Sequence, residues 1–138
     1  MAQTPEFKVE ALERSTGVLR WDGRKIRCAL GRSGVIEEIS KREGDGATPI
    51  GRWPMRQVFY RPDRLPVPIT GIPVAPITLA LGWGDGPGAP GYNQLVELPY
   101  PARHEKLWRE DHVYDLIVVL GYNDAPVVSG KGSAIFLH

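Results

Sequence analysis

Cysteine and histidine are the residue types in this sequence that could together support covalent chemistry. A thiolate beside a histidine is a common device for acyl transfer. The sequence has one cysteine, Cys28, and three histidines. Cys28 alternates with Ile26 and Leu30, which predicts a strand with one apolar face and a buried, unreactive thiol. We therefore interpret Cys28 as a core residue and not as a nucleophile.

His138 is the candidate catalytic residue. It directly follows the apolar run of residues 134–137, and such a run is typical of a central strand buried on both faces. We expect the ring of His138 to emerge at the end of that strand, where a cleft is usually built. A lone histidine is more often a structural group satisfied by its neighbours, so the residues alone leave both interpretations open.

The spacing of the candidate residues does not match the motifs for metal binding or phosphate binding. His104 and Glu105 begin like a zinc-protease motif, but Trp108 stands where that motif needs its second histidine. The stretch GDGATPIG lacks the Gly-Lys-Ser/Thr ending of a phosphate-binding loop. We predict no metal site and no phosphate-binding loop.

Composition excludes several classes of partner. The 138 residues carry a net charge of +1, with 17 basic and 16 acidic residues interspersed. A nucleic-acid partner requires a basic stripe that is absent here. No apolar run approaches the roughly 20 residues of a membrane span. The first ten residues, MAQTPEFKVE, show no signal peptide.

Short strands separated by turn residues account for most of the chain. Asp22 and Gly23 supply a tight turn, so residues 18–30 are predicted to form a hairpin. Residues 116–120 are apolar and mostly β-branched, which favours a strong strand. Residues 132–137 are predicted to form the last strand, and the five prolines within 61–76 exclude a central strand there.

Residues 104–111, HEKLWRED, are the one stretch whose pattern favours a short helix. The sequence as a whole predicts a single mainly β domain over residues 1–138, a β-sandwich or a partly closed barrel with one short helix.

Three stretches together resemble the L,D-transpeptidase catalytic domain, also called the YkuD domain, and especially its short stand-alone branch. They are CALGRSGVIEEISKREGDGATPIG at 28–51, HEKLWREDHVYDLIVVLGYN at 104–123 and GKGSAIFLH at 130–138. The resemblance implies a β-sandwich with a small helix and a cysteine acyltransferase that needs no cofactor. It also implies peptidoglycan tetrapeptide stems as the partner, cross-linked or trimmed, and a location in the periplasm or cell envelope.

The resemblance also places His138 within the catalytic motif. His138 matches the histidine that opens the family signature, whose Ser/Thr-x-Gly-Cys segment follows some fourteen to seventeen residues later. That position lies beyond residue 138, so the resemblance implies a domain that is incomplete at its C-terminus and lacks its nucleophile in this chain. We expect the chain alone to be inactive and a C-terminal fragment to be missing. A non-catalytic module that binds peptidoglycan peptides is the alternative.

The stretch 41–51, KREGDGATPIG, resembles the family's Lys-x-x-Asp-x-x-Thr-Pro-x-Gly region beside the cleft. Most of it is interpreted as an ordered turn in which Asp45 and Thr48 bond local backbone. Arg42 is the best candidate in it for contacting the substrate.

Three further residues are candidates for binding the substrate. His104 either rims the site or belongs to the short predicted helix. Tyr122 and Asn123 follow the strongest predicted strand, so they either orient the catalytic histidine or form a turn.

Overall fold

The computed structural model describes residues 5–138, which group into two compact units that divide after residue 51. Twelve short strands account for the regular structure in the described residues. They are β1 (Lys8–Ala11), β2 (Thr16–Trp21), β3 (Arg24–Ala29), β4 (Val35–Glu37), β5 (Thr48–Ile50), β6 (Met55–Tyr60), β7 (Val74–Pro76), β8 (Leu81–Gly84), β9 (Leu95–Glu97), β10 (His104–Lys106), β11 (Leu116–Leu120) and β12 (Phe136–Leu137). The mainly β fold class is confirmed.

The first unit contains an antiparallel meander, β1-β2-β3, and a parallel pair, β4 and β5. Asp22 and Gly23 have positive φ values of 45° and 73°, which is the geometry that a tight two-residue hairpin needs. The predicted hairpin is therefore confirmed, with Trp21 paired to Arg24.

Cys28 is half-buried, so the prediction that it lies in a core is wrong. Ile26, on the same face, is 52% exposed, whereas Leu19, its partner on β2, is 7% exposed. The difference arises because β3 is an outer strand of its three-stranded sheet and β2 is the central one. Alternation predicted which residues share a face, but the sheet order decides how deeply they lie.

The second unit contains two sheets. One has the order β12-β11-β6-β7 and the other has the order β10-β8-β9. Side chains from both sheets pack into one core, whose members are Phe59, Ile77, Trp83, Leu107, Ile117 and Val119. The strand predicted at 116–120 is confirmed as β11, and β7, in the proline-rich segment, is an outer strand as expected.

The short helix predicted over residues 104–111 is wrong. His104–Lys106 form β10, which pairs antiparallel with β8 and places Glu105 opposite Trp83. Leu107, the next residue, is fully buried in the core. A helix this short is marginal by itself, so strand pairing and the burial of one leucine outweigh its weak helical pattern. The helical structure in residues 5–138 is one 3₁₀ turn at Glu38–Ser40.

The last predicted strand is shorter and less central than expected. β12 spans Phe136–Leu137 only, is half-buried, and is the outer strand of its sheet, beside β11. Gly130, Gly132 and Ala134 have φ values of 81°, 119° and 55°, which interrupt the extended backbone before it reaches β12. The apolar composition of residues 134–137 did not reveal this left-handed backbone.

Candidate functional site

His138 stands directly after β12, and its side chain is exposed. Its Nδ1 lies 3.1 Å from the carbonyl oxygen of Val113. A carbonyl oxygen only accepts hydrogen bonds, so Nδ1 carries the proton in this contact. The lone pair of the neutral ring is then on Nε2, which makes no hydrogen bond within residues 5–138. This is the tautomer that a general base needs.

A row of four aromatic rings runs from the core to the site: Trp83, Phe136, Tyr114 and His138. Neighbouring ring centroids are 5.1, 5.9 and 5.2 Å apart, and each contact is edge-to-face. Such contacts are worth about 0.5–1.5 kcal/mol each beyond the area they bury. The row therefore anchors the exposed imidazole to the buried tryptophan.

Tyr114 is fixed at its hydroxyl as well as at its ring. Its Oη donates to Glu105 Oε1 at 3.0 Å. Burial, and then the negative charge of Glu105, raise the pKa of Tyr114, so the phenol remains a donor. The Arg109 guanidinium lies 5.5 Å from the centroid of the Tyr114 ring. Arg109 also pairs with Asp111 and lowers the pKa of Asp111 to about 2.

Two arginines hold the loop that carries Val113 and Tyr114. Arg61 is only 4% exposed, although it is charged. It forms a two-pronged pair with Asp63 at 2.9 Å on each prong and donates Nη1 to the Arg109 carbonyl. Its guanidinium also lies 3.6 Å from the centroid of the Trp108 ring. Trp108 is half-buried and packs against the core of the second unit.

Arg64 is the second arginine. It donates to the carbonyl oxygens of Glu110 and Asp111 and to Asp115 Oδ1, at 3.0, 2.7 and 2.7 Å. His112 completes the cluster through its Nδ1, 2.8 Å from Asp115 Oδ2. The hydrogen bond from Arg64, and then that from His112, lower the pKa of Asp115. The backbone of the loop is thus tied to the 61–64 segment by charged groups.

Tyr122 and Asn123 hold the connection into β12. Tyr122 is buried and donates its hydroxyl to the Lys131 carbonyl at 2.6 Å. Asn123 donates to the carbonyls of Val128 and Gly132, both at 3.0 Å, and accepts from the Val128 N–H at 2.8 Å. The structure therefore places both as supports of the segment that leads to His138. Their role in substrate binding stays a prediction.

Asn93 is a residue of this site that the sequence did not reveal. It is buried, and its Oδ1 accepts hydrogen bonds from Trp83 Nε1 at 3.0 Å and from the Ala134 N–H at 3.1 Å. Its Nδ2 donates to the carbonyls of Tyr122 and Asn123 at 3.0 and 2.8 Å. In the sequence, Asn93 lies in a glycine-rich loop and is indistinguishable from a turn residue, because its partners are distant.

His104 lies on β10 and is half-buried. Its Nδ1 contacts the Ala102 carbonyl at 2.9 Å, and its ring meets the ring of Tyr100 edge-to-face at 5.9 Å. Both of these contacts are with neighbouring residues of the chain, and the predicted role of His104 in substrate binding stays a prediction.

Arg42 lies in the first unit, within the turn that the sequence predicted. Its Nη1 donates to the carbonyls of Ile39 and Lys41 at 3.1 and 2.7 Å. Asp45 accepts from the Arg42 N–H, from Lys41 Nζ and from the Ala47 N–H, which makes the turn an ordered one. The side chain of Arg42 is exposed, and its role as a substrate ligand stays a prediction.

A groove of about 280 Å³ opens between the two sheets of the second unit. Its floor is apolar, with Phe136 and Trp83 contributed by the aromatic row. Gln57 and Gln94 bring amide groups to it. Phe136 lines the groove and lies two residues before His138, which is not itself a lining residue.

Residues 5–138 hold no group of three or more His, Cys, Asp or Glu side chains placed to bind a metal ion. None of the helices described there is long and apolar enough to cross a membrane.

The fold and the site define a mainly β protein with an exposed histidine at the end of a strand. The chain matches the family model of the L,D-transpeptidase catalytic domain, YkuD, over residues 1–138. It belongs to the YkuD family. No curated protein and no solved structure matches the chain significantly.

Proposed function

We propose that this chain carries the histidine part of a peptidoglycan L,D-transpeptidase site. His138 is the general base, and tetrapeptide stems are the substrate. Residues 52–138 contain no cysteine, and Cys28 does not stand in a Ser/Thr-x-Gly-Cys segment, so the proposed thiol nucleophile is a cysteine other than Cys28. The single observation that carries the proposal is the hydrogen bond from His138 Nδ1 to Val113, which leaves Nε2 exposed and free to accept a proton.

The reaction needs one proton transfer in each direction. Nε2 takes the proton of the thiol, and the thiolate attacks the carbonyl carbon of the peptide bond after the third stem residue. The imidazolium then returns the proton to the departing amine of D-alanine, leaving a thioester. An acceptor amine or water attacks the thioester and regenerates the thiol. Proton transfer of this kind contributes about 10²–10⁴-fold.

Val113 supports this cycle through its carbonyl. During the imidazolium stage Nδ1 remains a donor to the same oxygen, so the ring does not have to turn between the two proton transfers. A pre-oriented base avoids the reorganisation that slows a mobile one.

The groove between the two sheets is the proposed seat of the stem peptide. A peptide backbone presents one donor and one acceptor per residue, and Gln57 and Gln94 carry side-chain amides that match both. Arg56, at the same groove, adds a positive charge for a stem carboxylate, although it is paired with Asp124 at 3.0 Å.

A non-catalytic module that binds the same peptides is the second candidate. The absence of cysteine from residues 52–138, which contain both groove and histidine, favours it. The two candidates differ in whether a thiol meets His138 in the natural protein.

The first experiment is the intact mass of the natural protein under denaturing conditions. A species heavier than 15.3 kDa, or a second fragment that accompanies it, supports the enzyme, and thiol labelling then locates the cysteine. A single species at 15.3 kDa favours the binding module.

The second experiment measures D-alanine release and thioester formation with a tetrapeptide stem. For the enzyme, His138→Ala abolishes both, whereas His112→Ala, which removes one of the contacts that hold the loop carrying Val113, lowers both without abolishing them. D-Alanine release that survives His138→Ala contradicts the proposal. For the binding module, the peptide shifts the amide signals of Gln57 and Gln94 without any release.

A further inference from the structure

Three segments of the chain meet at Tyr114, beside the imidazole of His138. Glu105 lies on β10, Tyr114 in the loop before β11, and His138 after β12. Because β10 and β12 belong to different sheets, the hydrogen bond from Tyr114 to Glu105 ties the two sheets together beside the histidine.

The hydrogen bond to Val113 alone does not fix the imidazole. A ring held at one nitrogen can still turn about that bond, and an exposed side chain turns easily. The edge-to-face contact with Tyr114, at 5.2 Å and 88°, restricts this rotation. The two contacts together fix both the tautomer and the direction of Nε2.

Tyr114 is itself held firmly enough to restrict rotation of the His138 ring. Its hydroxyl donates to Glu105 at 3.0 Å, and its ring contacts Phe136 at 5.9 Å. The guanidinium of Arg109 lies over its ring. Burial and the charge of Glu105 raise the pKa of the phenol, so this hydrogen bond persists across the physiological pH range.

We propose that Tyr114 is a positioning residue for His138 and that Glu105 fixes Tyr114 for this purpose. The inference rests on the proposed function of His138 as the base. Tyr114 acts through the histidine and not on the substrate. Its nearest charged neighbours, Glu105 and Arg109, contact Tyr114 and have no hydrogen bond to the imidazole.

The test is ¹⁵N NMR of the imidazole rings in the full chain, which reports the tautomer of each histidine separately. In the unmodified chain, His138 is expected as the Nδ1–H tautomer. Tyr114→Ala is expected to convert it to a mixture of both tautomers. The signals of His104 and His112 are expected to stay unchanged, which shows that the fold survives.

Conservative variants separate positioning from packing. Tyr114→Phe keeps the ring but loses the hydrogen bond to Glu105. Glu105→Ala removes the acceptor of the same hydrogen bond. In both variants the tautomer population of His138 is expected to change, but less than in Tyr114→Ala. Glu105→Gln retains an acceptor oxygen and is expected to restore the unmodified tautomer. The matched control is Tyr100→Phe, since Tyr100 contacts His104 as Tyr114 contacts His138.

An unchanged His138 tautomer in Tyr114→Ala overturns the proposal. If all three histidines change in that variant because it fails to fold, Tyr114→Phe and Glu105→Ala decide, and unchanged His138 signals in both overturn it. In the natural protein, Tyr114→Ala is expected to lower kcat about 10²-fold with little change in KM. If the unmodified natural protein releases no D-alanine, the proposed enzymatic function is wrong. The NMR measurement of the His138 tautomer tests the positioning role of Tyr114 separately.

Discussion

His104 and His138 are held in the same way but by different parts of the chain. In both, Nδ1 contacts a backbone carbonyl, at 2.9 and 3.1 Å, and the ring meets a tyrosine edge-to-face. For His104 the carbonyl belongs to Ala102, two residues away. For His138 it belongs to Val113, twenty-five residues away.

The difference lies in what each environment depends on. The contacts of His104 come from its own strand and the residues just before it, so they form wherever that segment is extended. Those of His138 require β12, the 109–115 loop and β10 to be in place together. A histidine assembled from distant segments responds to changes far from it, whereas a locally held one does not.

The tyrosines differ as well. Tyr100 accepts a hydrogen bond at its hydroxyl from the Gly91 N–H at 3.0 Å, and Tyr114 donates one to Glu105. The second bond is to a charged group and is therefore the stronger type. The exposed histidine has the more firmly held aromatic partner, and the following predictions test this contrast.

The largest effect is expected from Asn93→Ala. It leaves the Trp83 and Ala134 donors and two carbonyls without their partner in a buried place, which costs about 3–4 kcal/mol of unfolding free energy. Chemical denaturation measures the loss. NMR is expected to show a shifted His138 signal, because the connection into β12 loosens.

Asn93→Asp is the control for that variant. It retains the acceptor for Trp83 and Ala134 but turns a carboxylate oxygen toward the carbonyls of Tyr122 and Asn123 in a buried place, so a loss at least as large is expected. A loss under about 1 kcal/mol for Asn93→Ala would mean that the buried network does not support the site.

Arg64→Ala is expected to cost about 2 kcal/mol, since it removes three hydrogen bonds from a mostly buried guanidinium. The loop that carries Val113 then moves, so His138 changes its NMR signal and His104 does not. Arg64→Lys retains the charge but not the forked guanidinium that makes three hydrogen bonds at once. If His138 has its unmodified NMR signal in Arg64→Lys, the geometry of the guanidinium does not matter.

Acid is expected to loosen the 109–115 loop before it affects His104. The pKa values of Asp115 and Asp111 are lowered in the folded chain, by Arg64 and by Arg109 respectively. Groups with lowered pKa values stabilise the fold above their unfolded pKa, about 4, and lose this contribution as pH falls toward 2.

An NMR titration from pH 5 to pH 2 measures the acid effect. Amide signals of residues 109–115 are expected to change below about pH 4, ahead of those around His104. In Asp115→Asn, part of this early change is expected to disappear. If both regions change together in the unmodified chain, the aspartates do not determine the order.

The smallest effect is expected from Arg56→Ala. Arg56 and Asp124 form a surface pair at 3.0 Å with side chains 50% and 31% exposed. Such pairs contribute about 0–1 kcal/mol. Both histidines are expected to keep their tautomers, and a shift of His138 in this variant would show that its environment extends along the groove to Arg56.

The sequence predicted the features that are encoded locally. The turn at Asp22 and Gly23 and the strand at 116–120 are confirmed, because turn residues and β-branched runs act over a few neighbours. The helix predicted at residues 104–111 is wrong, because pairing of His104–Lys106 with β8 outweighs a weak helical pattern.

By itself the sequence determined a mainly β chain with a histidine after its last strand and a family resemblance that the family match supports. Only the tertiary structure decided that Val113, Tyr114 and Asn93 would hold that histidine and its strand. The physical reason is distance along the chain. Contacts between residues that lie twenty or more positions apart depend on which strands pair and in what register, and no local pattern of residues specifies that.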